Sequence, residues 1–87
     1  MKIIALYRPV SEHGRVVDEF AREFSRRTAK SIDLIDVDSS EGIRLVQLYD
    51  ITNYPCILAV TNDGTMQNSW VGTPLPLLDE VSGYSIS

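Results

Sequence analysis

Residues 53–60, Asn-Tyr-Pro-Cys-Ile-Leu-Ala-Val, place a proline directly before a continuously apolar run. A short apolar run bounded by turn signals is typical of a buried strand. Because proline has no N–H for a strand ladder, Pro55 belongs at the first residue of that strand, at an edge or in a bulge. The Tyr54-Pro55 bond is a candidate cis peptide. Such a turn would leave the backbone of Tyr54 open to solvent or to a ligand.

Strand and helix patterns alternate on both sides of this stretch. Asn62-Asp63-Gly64 predicts a hairpin turn, because these residues tolerate positive φ, and residues 66–71 follow as a strand. Upstream, residues 2–7 and 32–37 are predicted strands, and residues 12–28 are a predicted amphipathic helix capped by Ser11. Two further helices are predicted, one with Ile43, Val46 and Tyr49 on its inner face, and one opened by Thr73-Pro74 and ended by Gly83.

This order, βαβ-α-ββα, predicts an α/β fold. A βαβ start implies a parallel strand pair with a right-handed crossover, and the hairpin adds an antiparallel pair. We therefore expect a four-stranded mixed sheet with helices on both faces.

Composition limits both architecture and function. With 87 residues, the chain is expected to form one domain over residues 1–87. A net charge of −4 argues against nucleic acid as a partner, which needs clustered cations. The lone Cys56 excludes an internal disulfide, and with His13 it supplies at most half of a metal site, so no metal is expected. The apolar residues after Lys2 are too few for a signal peptide or a membrane span, so we expect a cytoplasmic protein with no membrane partner.

Several motifs in this order resemble a known superfamily. Residues 49–58 resemble the segment of thioredoxins in which a tyrosine-x-isoleucine precedes the cis-proline and an apolar strand. Asn62-Asp63-Gly64 resembles the hairpin that follows it, and Val71-Gly72 the end of the last strand. Ser11-Glu12-His13-Gly14 falls where that family keeps its Cys-x-x-Cys motif. The resemblance to the thioredoxin and glutaredoxin superfamily implies a minimal thioredoxin-like fold, without the extra N-terminal strand and helix of full thioredoxins.

The departures from that family concern its chemistry. Ser11 replaces the nucleophilic cysteine, Gly14 the resolving cysteine, Ala5 a buried acid and Val10 an aromatic residue. A helix N-terminus lowers the pKa of a nearby acid by roughly one unit, which leaves a serine hydroxyl protonated. We therefore predict that Ser11 is a capping residue and that dithiol exchange does not carry over.

Binding is the leading functional hypothesis. The resemblance implies that the backbone before this proline pairs with an extended peptide or with glutathione, as in thioredoxin-like proteins. Such β-augmentation needs no catalytic side chain. We predict a redox-inactive module, without a cofactor, that grips an extended segment of another protein and is a monomer or a weak dimer. Arg8 and Arg15 flank the loop and could meet an anion such as a carboxylate of glutathione. The predicted binding residues are Arg8, Ser11, Glu12, His13, Arg15, Tyr54 and Pro55.

Cys56 carries the alternative. If its pKa were depressed, this thiol could form a mixed disulfide with glutathione or a partner, giving a monothiol exchange protein. Its position close to Ser11 at the start of the first helix would favour that chemistry, whereas burial in the strand would make the thiol inert. A third hypothesis is a structural subunit that dimerises through a sheet edge or a hydrophobic rim.

Overall fold

Four strands form one mixed sheet in a computed structural model that describes residues 1–84; residues 85–87, which the single-domain prediction includes, lie outside the described residues. The strands are β1 (Lys2–Tyr7), β2 (Asp33–Asp36), β3 (Cys56–Val60) and β4 (Met66–Val71), in the spatial order β2-β1-β3-β4. β1 is parallel to β2 and antiparallel to β3, and β3 is antiparallel to β4. The mixed four-stranded sheet expected from the sequence is confirmed.

Three helices cover the two faces of this sheet: α1 (Gly14–Thr28), α2 (Ser40–Leu48) and α3 (Leu78–Ser82). Successive side chains of a strand point to opposite faces, so the buried strands supply two cores. One packs against α1 and α3 and contains Phe24, Ile57 and Val81. The other packs against α2 and contains Leu45 and Leu58. Helices on both faces are confirmed, and none of the three is long and apolar enough to span a membrane.

The start of α1 differs from the prediction. The helix begins at Gly14, with His13 as its N-cap and no side-chain cap, rather than at residue 12 behind a Ser11 cap. The Ser11 hydroxyl is engaged elsewhere, because it donates to the C=O of Arg8 at 2.5 Å. It therefore closes the loop before the helix instead of capping the helix.

The last helix is shorter than predicted. It covers only Leu78–Ser82 and follows the N-cap Leu77, whereas the Thr73-Pro74 peptide bond is cis and lies in a loop. A residue that precedes proline disfavours helical backbone angles, and both Thr73 and Leu75 are in that position. The predicted end of the helix at Gly83 is confirmed.

The inner face of α2 was also predicted wrongly in part. Ile43 is 50% exposed, while Leu45 and Gly42 are buried, and Val46 and Tyr49 pack at the edge of the core. Gly42 sets this orientation, because a Cβ there would lie 2.0 Å from the backbone oxygen of Asp36. The helix thus packs its glycine against the end of β2, which rotates Ile43 outward.

Candidate functional site

A groove opens beside the start of α1, between the Ser11–Gly14 loop, the Tyr54-Pro55 turn and the loop after β4. Its volume is about 450 Å³. We call it the Tyr54 groove. It is lined by Glu12, His13, Val16, Tyr54, Pro55, Thr73, Pro74 and Leu75.

The backbone on two walls of the Tyr54 groove is open. The Tyr54-Pro55 bond is cis, and the C=O of Pro55 accepts the Gly72 N–H at 2.8 Å, which ties the two walls together. Within residues 1–84, no hydrogen bond uses the N–H or C=O of Tyr54, and none uses the N–H or C=O of Thr73. Each wall therefore offers an unpaired backbone donor and acceptor to an incoming chain.

Hydrogen bonds within the loop before α1 hold the third wall. The Arg8 N–H donates to His13 Nε2 at 3.1 Å, and the Ser11 hydroxyl donates to the Arg8 C=O. The N–H of Gly14 donates to the C=O of Ser11 at 3.2 Å. His13 therefore acts as an acceptor for its own loop, and its Nε2 is not available as a base for Ser11. A serine nucleophile needs such a base, so Ser11 has a structural role.

The predicted binding residues separate into two places. Glu12, His13, Tyr54 and Pro55 line the Tyr54 groove. Ser11 and Arg15 instead line a second recess on the other side of the loop, together with Pro9, Val10, Asp18, Glu19 and Arg22. The structure therefore brings Glu12, His13, Tyr54 and Pro55 together and places Ser11 and Arg15 beside a separate recess. That these residues bind a ligand stays a prediction.

Arg8 lies alongside the groove and already has partners. Its guanidinium lies 5.8 Å from the centroid of the Tyr54 ring, a cation–π distance. It also forms an ion pair with Asp38 at 3.8 Å. These contacts position the Tyr54 ring and reduce the positive charge that Arg8 offers to an anionic ligand.

Gly14 stands where the sequence resemblance places a resolving cysteine, and the packing of the loop requires glycine there. A Cβ at position 14 would lie 2.1 Å from the backbone oxygen of Pro9 and 2.8 Å from its carbonyl carbon. Backbone atoms cannot move aside as the end of a flexible side chain can. The loop before α1 is therefore built around glycine, and in this conformation it has no room for a cysteine.

The environment of Cys56 is unfavourable for thiol chemistry. Its side chain is fully buried, with 0% exposure, in the core that packs against α2. Its side chain therefore lies on the face of the sheet that α2 covers, opposite to the face that α1 covers. Burial raises the pKa of the Cys56 thiol to about 11, so the nucleophilic thiolate is scarce at neutral pH.

Sequence reasoning missed four lining residues: Val16, Thr73, Pro74 and Leu75. Val16 falls on the apolar stripe of the predicted helix, yet it is 47% exposed, while its neighbour Val17 is fully buried. Adjacent helical residues point about 100° apart, so only one of the two valines can occupy the centre of a buried face. The prolines at 74 and 76 were the available signal that residues 73–75 form a loop.

No protein-family model matches this sequence, and no curated protein sequence matches it significantly. Solved structures do resemble the fold. The oxidised thioredoxin of Plasmodium falciparum is 19% identical with a TM-score of 0.71, and the match covers 98% of this chain and 80% of that one. Thioredoxin 1 of Thermosipho africanus is 13% identical with a TM-score of 0.69, covering 98% and 90%. A putative disulphide-isomerase of Bacteroides thetaiotaomicron is 22% identical with a TM-score of 0.60, covering 98% and 76%.

These matches establish the class of fold. The chain has a thioredoxin-like fold, as the sequence resemblance implied. Identities of this size carry no activity from the matched proteins to this chain, so the function is argued from the Tyr54 groove itself.

Proposed function

We propose that this protein binds an extended segment of another protein in the Tyr54 groove, without thiol chemistry. The observation that carries the proposal is the unpaired backbone of Tyr54, a residue that lines this surface recess. An extended chain that donates to the Tyr54 C=O and accepts from its N–H would add to this wall by β-augmentation. Each hydrogen bond of this kind contributes about 0.5–1.5 kcal/mol net.

Apolar side chains supply the remaining contact. Val16, Pro55, Pro74 and Leu75 line the groove and can take an apolar side chain of the bound segment. Residues in a strand alternate their direction, so a segment paired with Tyr54 points every second side chain into the groove. The groove would therefore contact the side chains of about two or three residues of the bound segment.

We do not propose monothiol exchange through Cys56. No observation favours it, since Cys56 is buried on the α2 side of the sheet and its pKa is raised to about 11. Binding through the Tyr54 groove should consequently be indifferent to the redox state of the solution.

A random peptide display library tests the proposal. Peptides enriched on the wild-type protein should lose binding to Val16→Asn, which replaces an apolar contact in the groove with a neutral polar group. They should keep binding to Ile43→Asn, a matched control at a similarly exposed position on α2. Failure to enrich any peptide would contradict the proposal. So would peptides whose binding is unaffected by Val16→Asn, or peptides whose binding is abolished by a reductant.

A further inference from the structure

The charge of the Tyr54 groove indicates which kind of protein segment it can bind. This inference rests on the proposed function. Among the described residues that line the groove, Glu12 is the one with a carboxylate. Within residues 1–84 it forms no ion pair and no hydrogen bond. Its negative charge is therefore available to a ligand.

The groups beside the groove that can carry a positive charge are engaged with other parts of the chain, and Arg15 lines the other recess. Arg8 lies against the Tyr54 ring and pairs with Asp38. His13 accepts a hydrogen bond from the Arg8 N–H at Nε2. Among the described residues that line the groove, Glu12 supplies a free carboxylate and there is no lysine or arginine, while the chain as a whole carries a net charge of −4.

The lining beside Glu12 suits a long cationic side chain. Lysine and arginine bury their aliphatic stems along apolar surface while the charged end stays in water. Val16 is half exposed and, like Leu75, lines the same recess as Glu12. A stem lying on this apolar surface could bring its charged end to the Glu12 carboxylate.

We infer that the segment bound in the Tyr54 groove carries a lysine or arginine that pairs with Glu12, together with an apolar side chain that enters the groove. Pairs of solvent-exposed charges contribute modestly, so the cation should improve affinity by about two- to fivefold. The long-range field of an acidic protein would add to the association rate of a basic segment, and this part weakens with salt.

The test uses the same peptide display library on charge-reversed variants. On the wild-type protein, enriched peptides should favour lysine or arginine at one position. Glu12→Lys should reverse that preference towards aspartate or glutamate, and Glu12→Gln should remove it. The matched control is Glu19→Lys, because Glu19 lies on α1 but lines the other recess, and it should leave the preference at that position intact.

Each outcome separates the inference from the function on which it rests. Groove-bound peptides without a cation preference, or with one that Glu12→Lys leaves unchanged, would overturn the inference and leave the proposed function standing. Failure to enrich any peptide would overturn both. Binding of S-methylglutathione, an anionic probe, that is lost in Arg8→Gln but kept in Glu12→Gln would also overturn the inference, since it would show that the groove selects anions.

Discussion

Glycine at position 14 is a requirement of packing. Replacing it with alanine forces a methyl group against the backbone of Pro9, so we expect the free energy of unfolding to fall by about 1–3 kcal/mol. Gly83→Ala is the matched control, because a Cβ there meets its nearest atoms at an ordinary 3.6 Å. Urea denaturation of both variants measures the difference. Equal stability of Gly14→Ala and the wild-type protein would contradict the close approach.

The same contact predicts the effect on stability of placing cysteines at positions 11 and 14. Ser11→Cys with Gly14→Cys should be less stable than Ser11→Cys alone, since the second cysteine carries the obstructed Cβ. It follows that the shape of the loop, as well as the identity of residues 11 and 14, disfavours a Cys-x-x-Cys pair at these positions.

Two buried groups make stability depend on alkaline pH. Burial, followed by the hydrogen bond to Asp18, raises the pKa of Tyr7 to about 12, and burial raises the pKa of Cys56 to about 11. A raised pKa means that the folded state holds its proton more tightly than the unfolded state. This contribution is complete below the unfolded pKa values of roughly 8.5 for cysteine and 10 for tyrosine, and it is lost as pH rises through the folded values.

Urea denaturation at several pH values checks this directly. The free energy of unfolding should stay level up to about pH 8 and decline between about pH 8.5 and 12. Tyr7→Phe should make the decline shallower, because one of the two titrating groups is gone. A profile that remains flat to pH 11 would show that neither group is buried as described.

At the scale of elements, the short helix α3 follows the groove wall of residues 73–75 and packs into the core through Val81. Val81 is fully buried among residues of β3 and α1, whereas Leu77, just before the helix, is 70% exposed. Val81→Ala should therefore lower the free energy of unfolding by about 1–3 kcal/mol, while Leu77→Ala should change it by less than about 0.5 kcal/mol. Thermal or urea denaturation separates the two, and similar losses in both would mean that α3 does not pack through Val81.

The sequence predicted the buried elements well and the loops around the site poorly. The apolar runs in β1 and β3 predict strands that are buried in the centre of a sheet. The order of elements then followed from chain connectivity. The start of α1 could not be predicted from residues 11–14. A serine hydroxyl can either cap a helix or close a loop, and the local sequence favours neither.

Four of the eight residues that line the Tyr54 groove are among the binding residues that the sequence predicts. Tyr54 and Pro55 are two of them, because a proline before an apolar strand is a local signal. For residues 73–75 the sequence predicts helix, although each proline there argues against it. The burial of Cys56 towards α2 depends on the register of β1 against β3, which local sequence does not specify.

On the scale of the whole molecule, the Tyr54 groove joins three segments that are distant in sequence: residues 12–16, 54–55 and 73–75. The central strands hold these segments in place, so the groove exists only in the folded protein. Binding in it should stabilise the fold, by an amount that rises with ligand concentration.

The amide chemical-shift map of the ¹⁵N-labelled protein, titrated with a display-selected peptide, tests the central claim most directly. The account predicts that the largest changes fall on Tyr54, Thr73 and the loop before α1, with Cys56 and the α2 face little affected. Changes concentrated on β2 or α2, with the amides of the Tyr54 groove unmoved, would contradict it.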